Sequence, residues 1–192
     1  MKKIFAILTL FISFTNSAFA DKPDAGDLAP DFTISQLDGI NFKLSDYKGK
    51  KSVYLVFWNT WCGYCLKKVP KLKQTQKTLS DDIVIIAVNT TKEDSIEEIN
   101  QFIKKFDVNY PIAFDYGEKV TDLYNVWGTP TEFIIDINGV VRYRDDVPEK
   151  LEDYLAEWNT IEKLYSGFIT AYENMFAFFH GAVRHSANET AG

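Results

Sequence analysis

The stretch Trp61-Cys62-Gly63-Tyr64-Cys65 contains the only two cysteines in 192 residues. Ahead of it runs Val53-Tyr54-Leu55-Val56-Phe57-Trp58, an apolar block of strand length. Behind it, Leu66 to Leu79 is rich in helix formers and free of glycine. The cysteines therefore fall where a strand delivers the chain into a helix. A thiol placed there meets the unpaired N–H groups and the positive end of the helix dipole. Such settings lower a thiol pKa from about 8.5 to roughly 3.5–7.5, and the thiolate is the species that attacks a disulfide. Cys62 and Cys65 thus read as a redox-active catalytic pair. A structural zinc site needs four ligands, and the only histidines, His180 and His185, lie near the C-terminus. Neither a metal nor a cofactor is expected. A purely structural bridge across two residues closes too short a loop to constrain the unfolded chain.

The first twenty residues set the compartment. Lys2-Lys3 precedes the mostly apolar run Ile4 to Phe14, and Ala18-Phe19-Ala20 ends the segment. This is the layout of a signal peptide, residues 1–20, with small residues at the cleavage site. Its apolar part is too short for a bilayer, which needs about 20 residues. Asp21 is expected to begin a mature chain of 172 residues in an oxidising compartment such as the periplasm, long enough for one domain plus an extension. Losing Lys2 and Lys3 takes the formal net charge from −6 to −8. An acidic chain without basic runs is a poor partner for nucleic acid or anionic lipid.

Taken in order, Asp21 to Ala29 reads as a flexible lead-in. Phe32-Thr33-Ile34 and Asn41-Phe42-Lys43-Leu44 flank Asp38-Gly39, a hairpin signal. Ser45 to Gly49 reads as one capped helical turn before the strand at 52–58. Pro70 should bend the helix that follows. Ile83 to Val88 is a strand covered on both faces, and Glu93 to Phe106 a helix with Ile96, Ile99, Phe102, Ile103 and Phe106 on one stripe. A short strand at 111–114 and a short helix at 118–124 come next. Strands at Thr131–Asp136 and Val140–Arg144, turned by Asn138-Gly139, complete a mixed sheet with an antiparallel pair at one side.

The motifs Ala29-Pro30-Asp31-Phe32, Asp46-Tyr47-Lys48-Gly49-Lys50, Phe57 to Cys65, Pro70 and Gly128-Thr129-Pro130-Thr131-Glu132-Phe133-Ile134-Ile135-Asp136 occur in that order over roughly residues 27 to 150. Together they resemble exported thioredoxin-fold proteins of the TlpA/ResA/DsbE group. The resemblance implies an α/β thioredoxin-like fold, with a mixed central sheet flanked by helices, over residues 21–158. It implies a cis bond at Pro130 beside the active-site disulfide, with the backbone of Thr129 free to pair with an extended substrate. Trp61, Gly63, Tyr64, Thr129 and Pro130 would then contact substrate. A membrane thiol electron donor would restore the dithiol, and disulfide-bearing exported proteins, cytochrome c precursors among them, would be partners.

The chain departs from that pattern in places. Thioredoxin itself has a buried acid six residues before the first cysteine, where this chain has Val56. Solvent or another acid must take the resolving thiol's proton. Glu132 is a candidate by its nearness to Pro130, although a surface strand position is the plainer reading. Strong oxidases of the fold carry a histidine where Tyr64 stands, so an intermediate or reducing potential is expected. Disulfide isomerases of the DsbC type share Cys-Gly-Tyr-Cys, which keeps isomerisation open. The peroxiredoxin pattern Pro-x-x-x-Thr-x-x-Cys is missing before Cys62.

The last helix does not stop where a thioredoxin domain should. Leu151, Tyr154, Trp158, Ile161, Tyr165, Phe168, Tyr172, Met175 and Phe179 keep a 3-4 alternation, a rod of about 43 Å if continuous. Residues 159–183 are read as a long C-terminal helical extension, one rod or two helices folding back, that packs on its own domain, forms a homodimer or docks a partner, and 184–192 as a flexible tail. The expected function is a periplasmic thiol–disulfide oxidoreductase acting as a reductant. Its rivals are a dimeric disulfide isomerase built on the C-terminal helix and a redox-switched binding module.

Overall fold

The computed structural model describes residues 22–145 and 147–158. The expectations for the signal segment and for the extension past 158 therefore lie outside the described residues. The elements in chain order are β1 (Thr33–Ser35), β2 (Asn41–Lys43), a 3-10 turn (Leu44–Tyr47), β3 (Ser52–Trp58), α1 (Gly63–Thr78) and β4 (Ile83–Asn89). Then come α2 (Ile96–Phe106), β5 (Ile112–Phe114), α3 (Lys119–Leu123), β6 (Thr131–Ile135) and β7 (Val141–Arg144). A last helix, α4, is described over 151–158.

Five strands form one sheet in the order β5-β4-β3-β6-β7. β3 lies at its centre, parallel to β4 on one side and antiparallel to β6 on the other. The parallel half thus runs from the centre to one edge, and the antiparallel half from the centre to the opposite edge. All seven residues of β3 are buried, because helices and loops cover both faces of the sheet. Alternation along the strand divides them. Tyr54, Val56 and Trp58 enter a core with Val69 and Leu72 of α1, Ile99 and Phe102 of α2, and Leu151 and Leu155 of α4. Val53, Leu55 and Phe57 enter a second core with Phe42, Val120, Tyr124 and Phe133. Each such apolar side chain contributes roughly 1.5–3 kcal/mol on burial.

Local chemistry sets the boundaries. α1 buries Cys65, Val69, Leu72 and Thr75 on one face, a helical spacing that tolerates Pro70 inside the helix. It begins at Gly63, three residues earlier than its apolar pattern implies, because Cys62 itself caps it. α2 starts at Ile96 rather than Glu93, because Ser95 and Glu98 form a reciprocal capping box. The turn at Leu44–Tyr47 has no side-chain cap of its own; Ser45 N donates instead to Asp31 Oδ1 at 2.9 Å.

The lead-in is not flexible over its described length. Gly26 N donates to Val141 O, Val141 N to Asp27 O, and Ala29 N to Gly139 O, at 2.8–2.9 Å. Residues 26–29 thus pair with the turn into β7 and with its first residue, Val141. On the opposite edge, Gln36 bridges Ala113 and Leu37 N donates to Ile112 O of β5 at 2.9 Å.

Candidate active site

Cys62 occupies the N-cap position of α1 in extended backbone, and its Sγ accepts the N–H of Cys65 at 3.0 Å. The two cysteines form a disulfide with their Cα atoms 5.2 Å apart. In the dithiol state the same N–H would solvate a Cys62 thiolate, and the rest of the helix end adds its dipole. Gly63 and Tyr64, between the cysteines, are exposed, Tyr64 by 71%. Behind the disulfide there is only a void of about 10 Å³ among Cys65, Val56, Trp58, Lys68 and Pro130, at most the room of one water. The bridge can therefore be approached only from its front.

The front is built by three loops. The Thr129–Pro130 peptide is cis, and Thr129 O lies 3.4 Å from Cys62 Sγ. Thr129 Oγ1 donates to Asn59 Oδ1 at 3.2 Å, as Thr90 Oγ1 does at 2.9 Å. Asn59 in turn donates to Asp94 Oδ2 at 3.1 Å. Asp94 also accepts from Thr60 N at 2.9 Å and Asn89 Nδ2 at 2.7 Å. This carboxylate ties the ends of β3 and β4 together directly beneath the Cys62 loop. Trp61 leans outward, 57% exposed, with its Nε1 donating to Lys92 O at 2.9 Å. The expected positions Trp61, Gly63, Tyr64, Thr129 and Pro130 thus surround Cys62 in space.

Glu132 is a correction. It is not a surface strand residue but is 2% exposed. All five residues of β6 are buried, because one face packs under α1 and the other against the core of Phe57, Val120 and Tyr124. Glu132 pairs in register with Val56, and directly opposed antiparallel residues share a face. Its carboxylate accepts from the Tyr54 hydroxyl and from Lys68 Nζ of α1, three residues beyond Cys65. A buried carboxylate thus lies directly opposite position 56, one strand away. Burial, followed by the Glu132 charge, pushes the Tyr54 phenol far above its ordinary pKa.

Sequence reading missed three contributors. Nothing in the sequence marks Asp94 as the shared acceptor of two loops. Lys68 could have been found by its helical spacing from Cys65. Trp127, 87% exposed, could have been found as a lone indole two residues before Thr129.

A cysteine pair at a helix start, closed behind and flanked by a cis-proline loop on this sheet, defines a thioredoxin-fold thiol–disulfide oxidoreductase. The chain belongs to the Redoxin family, whose model matches residues 24–160. It is 35% identical over 161 residues to the thiol-disulfide oxidoreductase ResA of a Bacillus cereus strain, covering 80% of this chain and 92% of that one. Among solved structures, it is similar to the pneumococcal exposed lipoprotein thioredoxin Etrx1 of Streptococcus pneumoniae. That match has a TM-score of 0.58 and 32% identity over 67% of this chain and 99% of the other. The thioredoxin domain of a thiol-disulfide oxidoreductase from Bacteroides vulgatus also has a TM-score of 0.58, with 26% identity over 73% and 96% of the two chains.

Proposed function

We propose that this oxidoreductase works outside the cytoplasm as a reductant of disulfides in exported proteins, cytochrome c precursors being one substrate class. The observation that carries this reading is Cys62 at the N-cap of α1, bridged to a Cys65 that is closed off from behind. In the reduced protein, the Cys62 thiolate attacks one sulfur of a substrate disulfide. The other substrate sulfur leaves as a thiol, and a mixed disulfide forms. Cys65, deprotonated, then attacks Cys62 Sγ and expels the second substrate thiolate, which takes up a proton. Two electrons pass to the substrate, and the protein is left with the Cys62–Cys65 bridge. A membrane thiol donor would return it to the dithiol. Likeness to an exposed lipoprotein thioredoxin supports the extracytoplasmic placement. The absence of histidine at position 64 supports a reducing poise.

The test is a pair of variants with a potential measurement. Cys62→Ser is expected to abolish reduction of insulin. Cys65→Ser is expected to accumulate a mixed disulfide resolvable on non-reducing gels, and no trapped species would sink this division of labour. A Cys62–Cys65 potential near −270 mV agrees with a reductant, and one near −120 mV would make the protein an oxidant instead.

A further inference from the structure

Beside the Cys62 loop lies a cleft of about 70 Å³ lined by Trp61, Trp127 and Thr129 together with Asn59, Thr90 and Lys92. Both indoles are pinned by their polar edges, Trp61 Nε1 by Lys92 O at 2.9 Å and Trp127 Nε1 by Asn125 Oδ1. Their ring faces remain largely in water, at 57% and 87% exposure. Holding two large apolar surfaces in solvent is costly unless something covers them, and contiguous exposed apolar area marks interaction sites.

The polar side chains that line the cleft are already engaged. Thr90 and Thr129 hydroxyls donate to Asn59 Oδ1, Thr121 Oγ1 donates to Asp115 Oδ2 at 2.7 Å, and Lys92 Nζ lies 3.5 Å from Glu118 Oε2. Nothing in the floor demands a polar occupant, whereas the indole walls offer stacking and dispersion. The occupant follows from position. Thr129 is shared by this cleft and by the Cys62 Sγ contact. An extended chain advances roughly 3.3 Å per residue, so a residue one or two places from a cysteine bonded to Cys62 comes within reach of the cleft.

We infer that the Trp61–Trp127 cleft is a specificity subsite that selects substrate cysteines flanked by an aromatic or large aliphatic residue. This inference rests on the oxidoreductase reading above. Trp127 acts by positioning, without touching the reacting sulfurs.

The test uses symmetric disulfides of two short peptides, each with one cysteine flanked on both sides by Phe or by Gly. Single-turnover reduction by the full-length dithiol protein gives a second-order rate constant for each. Wild type is expected to prefer the Phe peptide about tenfold, equivalent to about 1.4 kcal/mol. Trp127→Ala should collapse that ratio to about one, and Trp127→Phe should restore most of it. Equal wild-type rates on the two peptides would overturn the inference, as would a ratio that survives Trp127→Ala. Failure of the wild-type dithiol to reduce either peptide would overturn the oxidoreductase reading itself, which keeps the two claims separable. The ratio is internal to each variant, so a uniform loss of active protein cannot mimic the effect. At 87% exposure, Trp127 can also be replaced without opening a cavity.

Discussion

Glu132 shows how much depends on what a buried charge is given to hold. Its carboxylate sits in the core on the α1 face and is engaged by Tyr54 and Lys68. Removing one partner of such a group leaves it desolvated without compensation. Tyr54→Phe is therefore expected to lower stability by about 1–3 kcal/mol, read as a fall in urea midpoint at unchanged m-value. Lys68→Met should cost a similar or smaller amount, because Lys68 is one-third exposed and water partly replaces it. If the double variant Tyr54→Phe/Glu132→Gln is less stable than Tyr54→Phe alone, the cost does not come from the stranded carboxylate. The sequence holds no sign of this burial. Thr131-Glu132-Phe133 has the alternation of a half-exposed strand, and it is buried on both sides only because α1 packs on one face and the Tyr124 core on the other.

Among the elements, the one that shapes the front of the site is the loop between β4 and α2, although it contains none of the motifs that identify the family. Thr91 and Glu93 adopt positive φ there, which brings Asp94 under Asn59 and Thr60. Asp94→Ala should lower stability by about 2–4 kcal/mol through lost charge-assisted hydrogen bonds. Asp94→Asn, which keeps some acceptor capacity, should lose less; equal losses in urea titrations would contradict this account. The strands and helices themselves are legible in the sequence, because long apolar runs such as 52–58 and 83–88 and the stripe of α2 carry strong periodicity. So is the Cys62 loop, whose chemistry lies in contiguous residues. Legibility fails where a role depends on distant partners. The lead-in carries Pro23 and Gly26 and looks unstructured, yet hydrogen bonds from 139–141 fix it. Trp127 looks like any loop residue until the fold sets it in the same cleft as Trp61.

At the scale of the molecule, three tyrosines link stability to alkaline pH. Burial raises the phenols of Tyr54, Tyr110 and Tyr124 well above the ordinary value, with Glu132 adding to the effect at Tyr54 and Asp31 at Tyr124. In the unfolded chain all three ionise near pH 10, whereas in the native state they stay protonated. Their folded pKa values are raised, so the stability they support is complete below about pH 10 and is lost as the pH climbs beyond it. Three such groups give an upper slope of about 4 kcal/mol per pH unit. Urea midpoints between pH 9 and 11.5 would check this. Tyr124→Phe should flatten the fall by about one-third, and an unchanged slope would exclude Tyr124 as a source.

The segments along the two sheet edges have a consequence in time. Residues 26–29 cover the start of β7, and Gln36 and Leu37 pair with β5, so both covers precede every strand of the five-stranded sheet in the chain. A polypeptide threaded from its N-terminus across a membrane or out of a ribosome presents these covers before either edge exists. Unpaired edges are where folding chains join one another. In this protein, each edge finds its own cover already waiting as it forms.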